Sequence, residues 1–220
     1  MKLFLDTADY KKIAECSVTG LIDGVTINPS LLKVQNEPPL KIVQEIIKVL
    51  PEAEISLQVT EQDPHKVYEQ AKHIVNVADN MLVKIPCHKL YMPVIAQLIQ
   101  EGIPVNATLV FTLNQAFELA KLGVHYISLF VGRLYDNGVD GLKVATTIQQ
   151  MLDTYDYDSE LLIASVRNPE HIEGALALGC DAITIPVDIF NQLSMSSLSD
   201  AGLEQFKQDW LQGPHKQLLE

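Results

Sequence analysis

The sequence predicts one α/β domain, a (β/α)8 TIM barrel with an extra C-terminal helix in an arm over 197–220. Three observations carry that expectation. Eight short runs rich in Val, Ile and Leu recur along 220 residues. They are continuous rather than strictly alternating, as in strands buried on both faces. Segments with apolar residues at helical spacing lie between them, and such βα alternation implies a parallel sheet with crossover helices. Eight units in a chain of this length fit a compact barrel. A doubly wound open sheet is the alternative, but no GxGxxG follows the first run, which weakens a dinucleotide-binding reading.

The runs follow in order: KLFLDT (2–7), GVTIN (24–28), ISLQVT (55–60), MLVKIP (81–86), VNATLV (105–110), YISLFV (126–131), LLIASV (161–166) and AITIPV (182–187). VYEQAKHIVNVA (67–78) separates the third from the fourth, and PVIAQLIQEG (93–102) the fourth from the fifth. Both repeat apolar residues at helical spacing. Gly102, Gly123 and Gly179 fall where a helix must stop before the next strand. SLSDAGLEQFKQDWLQ (197–212) reads as a final helix capped by Ser199 or Asp200, with Phe206 and Trp210 at i, i+4. That helix either packs on its own barrel or reaches a neighbouring subunit.

Composition narrows the function. A formal charge of −12 argues against nucleic acid or an anionic membrane as the main partner. It leaves room for an anionic small molecule held by locally focused positive charge. Cys16, Cys87 and Cys180 show no CxxC spacing and cannot all pair, which predicts a reducing compartment. MKLFLDTADY meets Asp6 too early for a signal peptide, and no apolar run approaches a membrane span. The expected setting is cytoplasmic.

In a barrel of this type, functional residues sit at the C-terminal ends of several strands. The polar residues there are Asp6, Thr26, Asn28, Gln58, Lys84, Asn106, Thr108, Ser128 and Ser165. Seven consecutive runs contribute at least one. A core built only for stability would favour Val, Ile and Leu, because a buried polar group is unfavourable unless hydrogen-bonded. The repetition predicts a shared polar pocket, against the blander reading of small hydroxyls satisfied one by one.

Lys84 stands alone in the apolar run MLVKIP. It could be ion-paired or snorkelling. Burial instead lowers a lysine's pKa, and a neutral amine attacks a ketone or aldehyde to form a Schiff base. The protonated imine is an electron sink for carbon–carbon cleavage. Asp6, Asn28, Gln58 and Thr108 supply the hydroxyl-binding and proton-carrying groups that such chemistry needs. Only two of the 16 basic residues are arginines, Arg133 and Arg167, and each falls just past the end of a predicted strand. Arginine suits bidentate phosphate recognition, and barrels bind phosphate near their last strands. The shared placement predicts a substrate with one phosphate, against the plainer reading of two salt bridges. The histidines are dispersed without HxH or HExxH, so no metal is expected, and there is no GxSxG nucleophile elbow.

Taken together, LDTAD (5–9), GVTINPSLL (24–32), VKIP (83–86), GIPVNATLVFT (102–112), SLFVGRLYDNGVDG (128–141), ASVRNPEHI (164–172) and the FKQDW tail resemble the small transaldolase and fructose-6-phosphate aldolase family. The resemblance covers essentially the whole chain. It implies a class I aldol mechanism without a cofactor, acting on sugar phosphates. Lys84 would form the Schiff base with the ketose C2. Asp6 and Asn28 would hold the hydroxyls of the dihydroxyacetone unit, and Asp6 would assist proton movements. Thr108 and Gln58 would position a catalytic water. Thr26, Asn106, Ser128 and Phe130 would line the substrate site, and Arg133, Ser165 and Arg167 would bind phosphate. A homo-oligomer, a pentamer or decamer with the C-terminal helix reaching a neighbour, is also implied.

The two activities of that family differ after cleavage. A transaldolase passes the enamine to an aldose phosphate; an aldolase lets dihydroxyacetone leave. Asn106, Ser128, Phe130 and Arg167 resemble the transaldolase pattern. Gln58 stands where transaldolases carry Glu, and Phe130 where the aldolases carry Tyr. Transaldolase with fructose 6-phosphate as donor is the leading expectation. Fructose-6-phosphate aldolase, another Schiff-base lyase of the same barrel type, and a sugar-phosphate-binding barrel with decayed catalysis are the alternatives.

Overall fold

Eight parallel strands close into a barrel in the computed structural model, which describes residues 1–214. They are β1 (Lys2–Asp6), β2 (Gly24–Ile27), β3 (Glu54–Gln58), β4 (Met81–Pro86), β5 (Val105–Val110), β6 (Tyr126–Phe130), β7 (Glu160–Ala164) and β8 (Ala182–Ile185). Every expected strand is present in sequence order, and β8 pairs back on β1. Between them run α1 (Tyr10–Ser17), α2 (Pro29–Leu32), α3 (Pro39–Val49), α4 (Pro64–Val75), α5 (Met92–Gln100), α6 (Leu113–Leu122), α7 (Val131–Asp136), α8 (Gly141–Tyr155), α9 (Pro169–Leu178) and α10 (Val187–Phe190). These elements form one compact unit, Met1–Phe190.

Helix starts follow from local chemistry. Asp9, Asp63, Asp140 and Asn168 each accept a backbone N–H of the following first turn. Thr112 and Gln115 form a reciprocal capping box on α6. Gly123 and Gly179 end α6 and α9 at φ 80° and 77°, and Gly102 follows α5 at φ 75°, left-handed geometry that glycine adopts without strain.

The pleat divides each strand's side chains between two cores. Leu5, Val25, Ile27, Ile55, Val83, Ile85, Ile127, Ile163 and Ile183 belong to the larger cluster shared with the helices. Phe4, Leu82, Tyr126, Leu162 and Ala182 form a separate cluster inside the barrel. Gly24 faces Phe4 across β1 and β2, and a Cβ there would come within 2.7 Å of the Phe4 ring. The glycine makes room for the ring that fills this layer.

The barrel floor is polar and tied together. Lys2 Nζ donates to Tyr126 Oη at 2.6 Å and pairs with Glu54 at 3.0 Å and Glu160 at 3.2 Å. Tyr126 Oη donates to Glu54 Oε2 at 2.6 Å. Desolvation by burial, then Glu54 and Glu160, push the Tyr126 phenol far above its ordinary pKa, so it stays a donor.

Several expected strands end earlier than the sequence suggests. β2 stops at Ile27 because Asn28 caps α2, and β6 stops at Phe130 because Val131 begins α7. β7 stops at Ala164 because Ser165 takes φ 61°. β5 shifts register between Ala107 and Val110, with Leu109 at φ 58°.

The second unit, Asn191–Glu220, contains α11 (Ser197–Gln212). Its cap is Ser196, whose Oγ accepts the Ser199 N–H at 3.3 Å, and not Ser199 or Asp200, which lie inside the first turn. Residues 215–220 of the expected arm lie outside the described residues. No helix among the described residues is long and apolar enough to cross a membrane.

Candidate active site

The C-terminal ends of the strands surround a cleft of about 520 Å³. Asp6, Asn28, Gln58, Lys84, Phe130, Arg133, Ser165 and Arg167 line it, with Leu109 and Thr184. Eight of the twelve residues expected from sequence therefore share one wall. Thr26, Asn106, Thr108 and Ser128 are buried beneath it. Two lining residues, Leu109 and Ser165, carry the left-handed backbone noted above. A non-glycine residue at positive φ is strained, and such strain clusters at functional sites.

Lys84 is 2 % exposed, and its Nζ forms neither a hydrogen bond nor an ion pair among the described residues. Its cross-strand neighbours are Gln58 on β3 and Asn106 on β5. Burial drives its pKa well below the ordinary value, Asp6 opposes that shift, and Arg133 adds to it. Asp6 keeps an edge open to the cleft while protein surrounds most of it. Burial raises the Asp6 pKa, against the pull of Lys84 and of a hydrogen bond from Thr26. The two groups thus shift toward each other, which suits proton exchange.

Hydroxyls and amides fix the layer underneath. Thr26 Oγ1 donates to Asp6 Oδ1 at 2.9 Å and lies 2.7 Å from Thr184 Oγ1. Since Thr26 spends its proton on Asp6, Thr184 is the donor of the second bond. Asn106 Nδ2 donates to Ser56 Oγ at 3.0 Å, and Ser128 Oγ donates to Asn106 Oδ1 at 2.6 Å. The three side chains brace the floor below Lys84. Thr108 Oγ1 is buried with no partner among the described residues. Asn28 Oδ1 accepts from the Ser30 and Leu31 N–H groups at 3.0 and 3.1 Å, which aims the amide and leaves Nδ2 free to donate.

The guanidinium groups occupy one side of the cleft. Arg133, on α7, lies with Cζ 5.0 Å from the Phe130 ring centroid. Arg167, on the loop between β7 and α9, holds Asp136 at 3.1 Å in an exposed pair. Gly132 permits this arrangement: a Cβ there would collide with the Ser165 carbonyl oxygen and come within 2.8 Å of Arg167 Cγ.

Ser56 and Thr184 belong to this constellation as well, beyond the residues expected from the sequence. Each is a small hydroxyl at an alternate position in a strand run, the same signal that singled out Thr26 and Ser128. A larger groove of about 780 Å³ lies outside the barrel, formed by Cys87, Met92, Phe117 and Leu122 among others. It contains none of the strand-end polar residues.

Comparison with known proteins agrees with the geometry. The profile of the family described as transaldolase/fructose-6-phosphate aldolase matches residues 3–215. A probable transaldolase of Methanococcus vannielii is 41% identical over 210 residues, covering 96% of this chain and 97% of that protein. One from Methanococcus maripaludis strain C6 is 42% identical with the same coverage. One from Coprothermobacter proteolyticus is 37% identical over 214 residues, covering 97% and 98%. A solved structure, a cube-shaped porous cage designed by fusing symmetric oligomeric domains, matches with TM-score 0.61 at 14% identity, over 96% of this chain and 76% of its own. That likeness concerns the fold alone. The cleft, the profile and the relatives converge: the chain belongs to the transaldolase/fructose-6-phosphate aldolase family.

Proposed function

We propose that this protein transfers a dihydroxyacetone unit between sugar phosphates through a Schiff base on Lys84, with fructose 6-phosphate as donor. The observation that carries the reading is an unpaired, buried Lys84 in one cleft with Asp6 and two guanidinium groups. The neutral amine attacks the C2 carbonyl, and the carbinolamine takes up one proton and loses water to give the protonated imine. Asp6 takes the proton of the C4 hydroxyl as the C3–C4 bond breaks. The bonding electrons pass to the imine, glyceraldehyde 3-phosphate leaves, and an enamine of three carbons stays on Lys84. The enamine carbon then attacks the aldehyde of an acceptor such as erythrose 4-phosphate while Asp6 returns its proton to the new hydroxyl, and hydrolysis of the new imine releases the product and the Lys84 amine.

The other side chains have matching roles. Asn28 Nδ2 donates to a substrate hydroxyl, and Thr26 holds Asp6 in place. Thr108 and Gln58 orient water for imine formation and hydrolysis. Asn106 and Ser128 shape the floor, Phe130 the wall, and Arg133, Arg167 and Ser165 take the phosphate. No step in this scheme calls for a cofactor. A cytoplasmic homo-oligomer goes with the reading.

Release of free dihydroxyacetone is the second reading, favoured by the uncharged Gln58. Following glyceraldehyde 3-phosphate from fructose 6-phosphate separates the two. The proposal expects release that depends on erythrose 4-phosphate; an equal rate without acceptor, with free dihydroxyacetone accumulating, assigns the aldolase activity instead.

A further inference from the structure

We propose that His171 is a positioning residue for the phosphate grip, holding the Arg167 loop against the helix that carries Arg133. The inference rests on the reading that the two guanidinium groups bind a substrate phosphate.

His171 lies in the first turn of α9 and is 7 % exposed. Its Nδ1 accepts the Arg167 backbone N–H at 3.3 Å. Its ring stacks on Tyr135 of α7, with centroids 5.0 Å apart and planes at 19°. Acceptance at Nδ1 places any ring proton on Nε2 and requires a neutral imidazole. Burial, then Arg167, lower the His171 pKa against the opposing effect of Glu170, which keeps the ring in that form.

The same loop and helix meet at one more side-chain contact, the Arg167–Asp136 pair, with side chains 54% and 57% exposed. Exposed pairs contribute little to stability. This one also uses the guanidinium that a phosphate would take, so anion binding draws Arg167 away from Asp136. The loop then needs an anchor that leaves the guanidinium free. The backbone bond to His171 and the stack on Tyr135 provide it, and Gly132 allows the close approach. An apolar residue at 171 would fill the space but leave the Arg167 N–H without its acceptor.

The test compares the full-length wild type with His171→Phe, which keeps a ring without an acceptor, and His171→Asn, which keeps an acceptor without the ring. Tyr135→Leu, at a half-exposed position, removes the stack together with the Tyr135 Oη bond to Asp140 Oδ1 at 2.8 Å and the acceptor of the Leu142 N–H at 3.4 Å, and leaves the Arg167–His171 bond in place. Three readouts are taken: steady-state kinetics with fructose 6-phosphate, borohydride trapping of dihydroxyacetone on Lys84, and calorimetric binding of inorganic sulfate. His171→Phe is expected to raise KM about ten-fold, as for a buried donor left unpaired, and to weaken sulfate binding by a similar factor. Its kcat and its trapping of unphosphorylated dihydroxyacetone stay near wild type. His171→Asn recovers most of the loss, and Tyr135→Leu raises KM about three-fold. Unchanged KM and sulfate affinity in His171→Phe overturn the proposal. So do equal losses in dihydroxyacetone trapping, or a His171→Asn variant no better than His171→Phe. If wild type traps neither carbonyl compound, the Schiff-base reading fails, and sulfate affinity alone decides the role of His171.

Discussion

Gln58 and Lys84 stand side by side on β3 and β4, as register partners that both face the cleft. An amide therefore neighbours the amine where an acid–base group would be useful. A glutamine side chain can orient water but cannot take its proton at neutral pH. Gln58→Glu is expected to raise transfer activity, recovering part of the roughly 10²–10⁴-fold that general acid–base help contributes. Turnover with fructose 6-phosphate and erythrose 4-phosphate checks this; no change or a fall places Gln58 away from the catalytic water.

The charges around Lys84 set a second prediction. Its amine must lose a proton before it attacks, so imine formation rises with pH through the Lys84 pKa. Burial and Arg133 lower that pKa below 10.5, and Asp6 raises it. Asp6→Asn removes the raising charge and moves the midpoint to lower pH. Arg133→Gln removes a lowering charge and moves it to higher pH. Rates of borohydride trapping across pH in the three proteins measure this, and one shared midpoint contradicts the electrostatic account.

Gly132 tests the phosphate side by sterics alone. The added methyl of Gly132→Ala meets the Ser165 carbonyl oxygen and Arg167 Cγ. The β7–α9 loop must move, with an expected loss of about 1–3 kcal/mol typical of overpacking. KM for fructose 6-phosphate rises more than KM for an unphosphorylated ketose donor. Denaturation and kinetics measure the two effects, and an equal rise for both donors removes Arg167 from phosphate recognition.

Tyr126 probes the opposite end of the barrel. Tyr126→Phe removes the hydroxyl shared by Lys2 and Glu54. A loss of about 1–3 kcal/mol is expected for the groups left unpaired. Turnover stays unchanged, because the floor of such a barrel serves stability and its C-terminal face serves function. Urea denaturation beside the transfer assay checks both halves.

The strands were legible because their outward residues, such as Val25, Ile55, Val83 and Ile183, had to be apolar to cover the helices. The cleft was legible because Lys84 and Asp6 broke that apolar run at strand ends. What escaped depended on geometry that a run of letters does not encode. Ser165 and Leu109 look like strand residues but take left-handed backbone, which re-aims the chain at the cleft. Thr184 and Ser56 matter through partners 158 and 50 residues away in the chain, Thr26 and Asn106. Ser196 outcompeted Ser199 and Asp200 as a cap because helical geometry begins one residue after it.

The central claim is that a deprotonated Lys84 makes covalent contact with the substrate carbonyl. Borohydride reduction with fructose 6-phosphate present, followed by peptide mass spectrometry, tests it most directly. The account predicts a reduced adduct on the peptide carrying Lys84, absent from Lys84→Ala. A wild-type protein that turns over the sugar yet yields no adduct, or one labelled at another lysine, contradicts it.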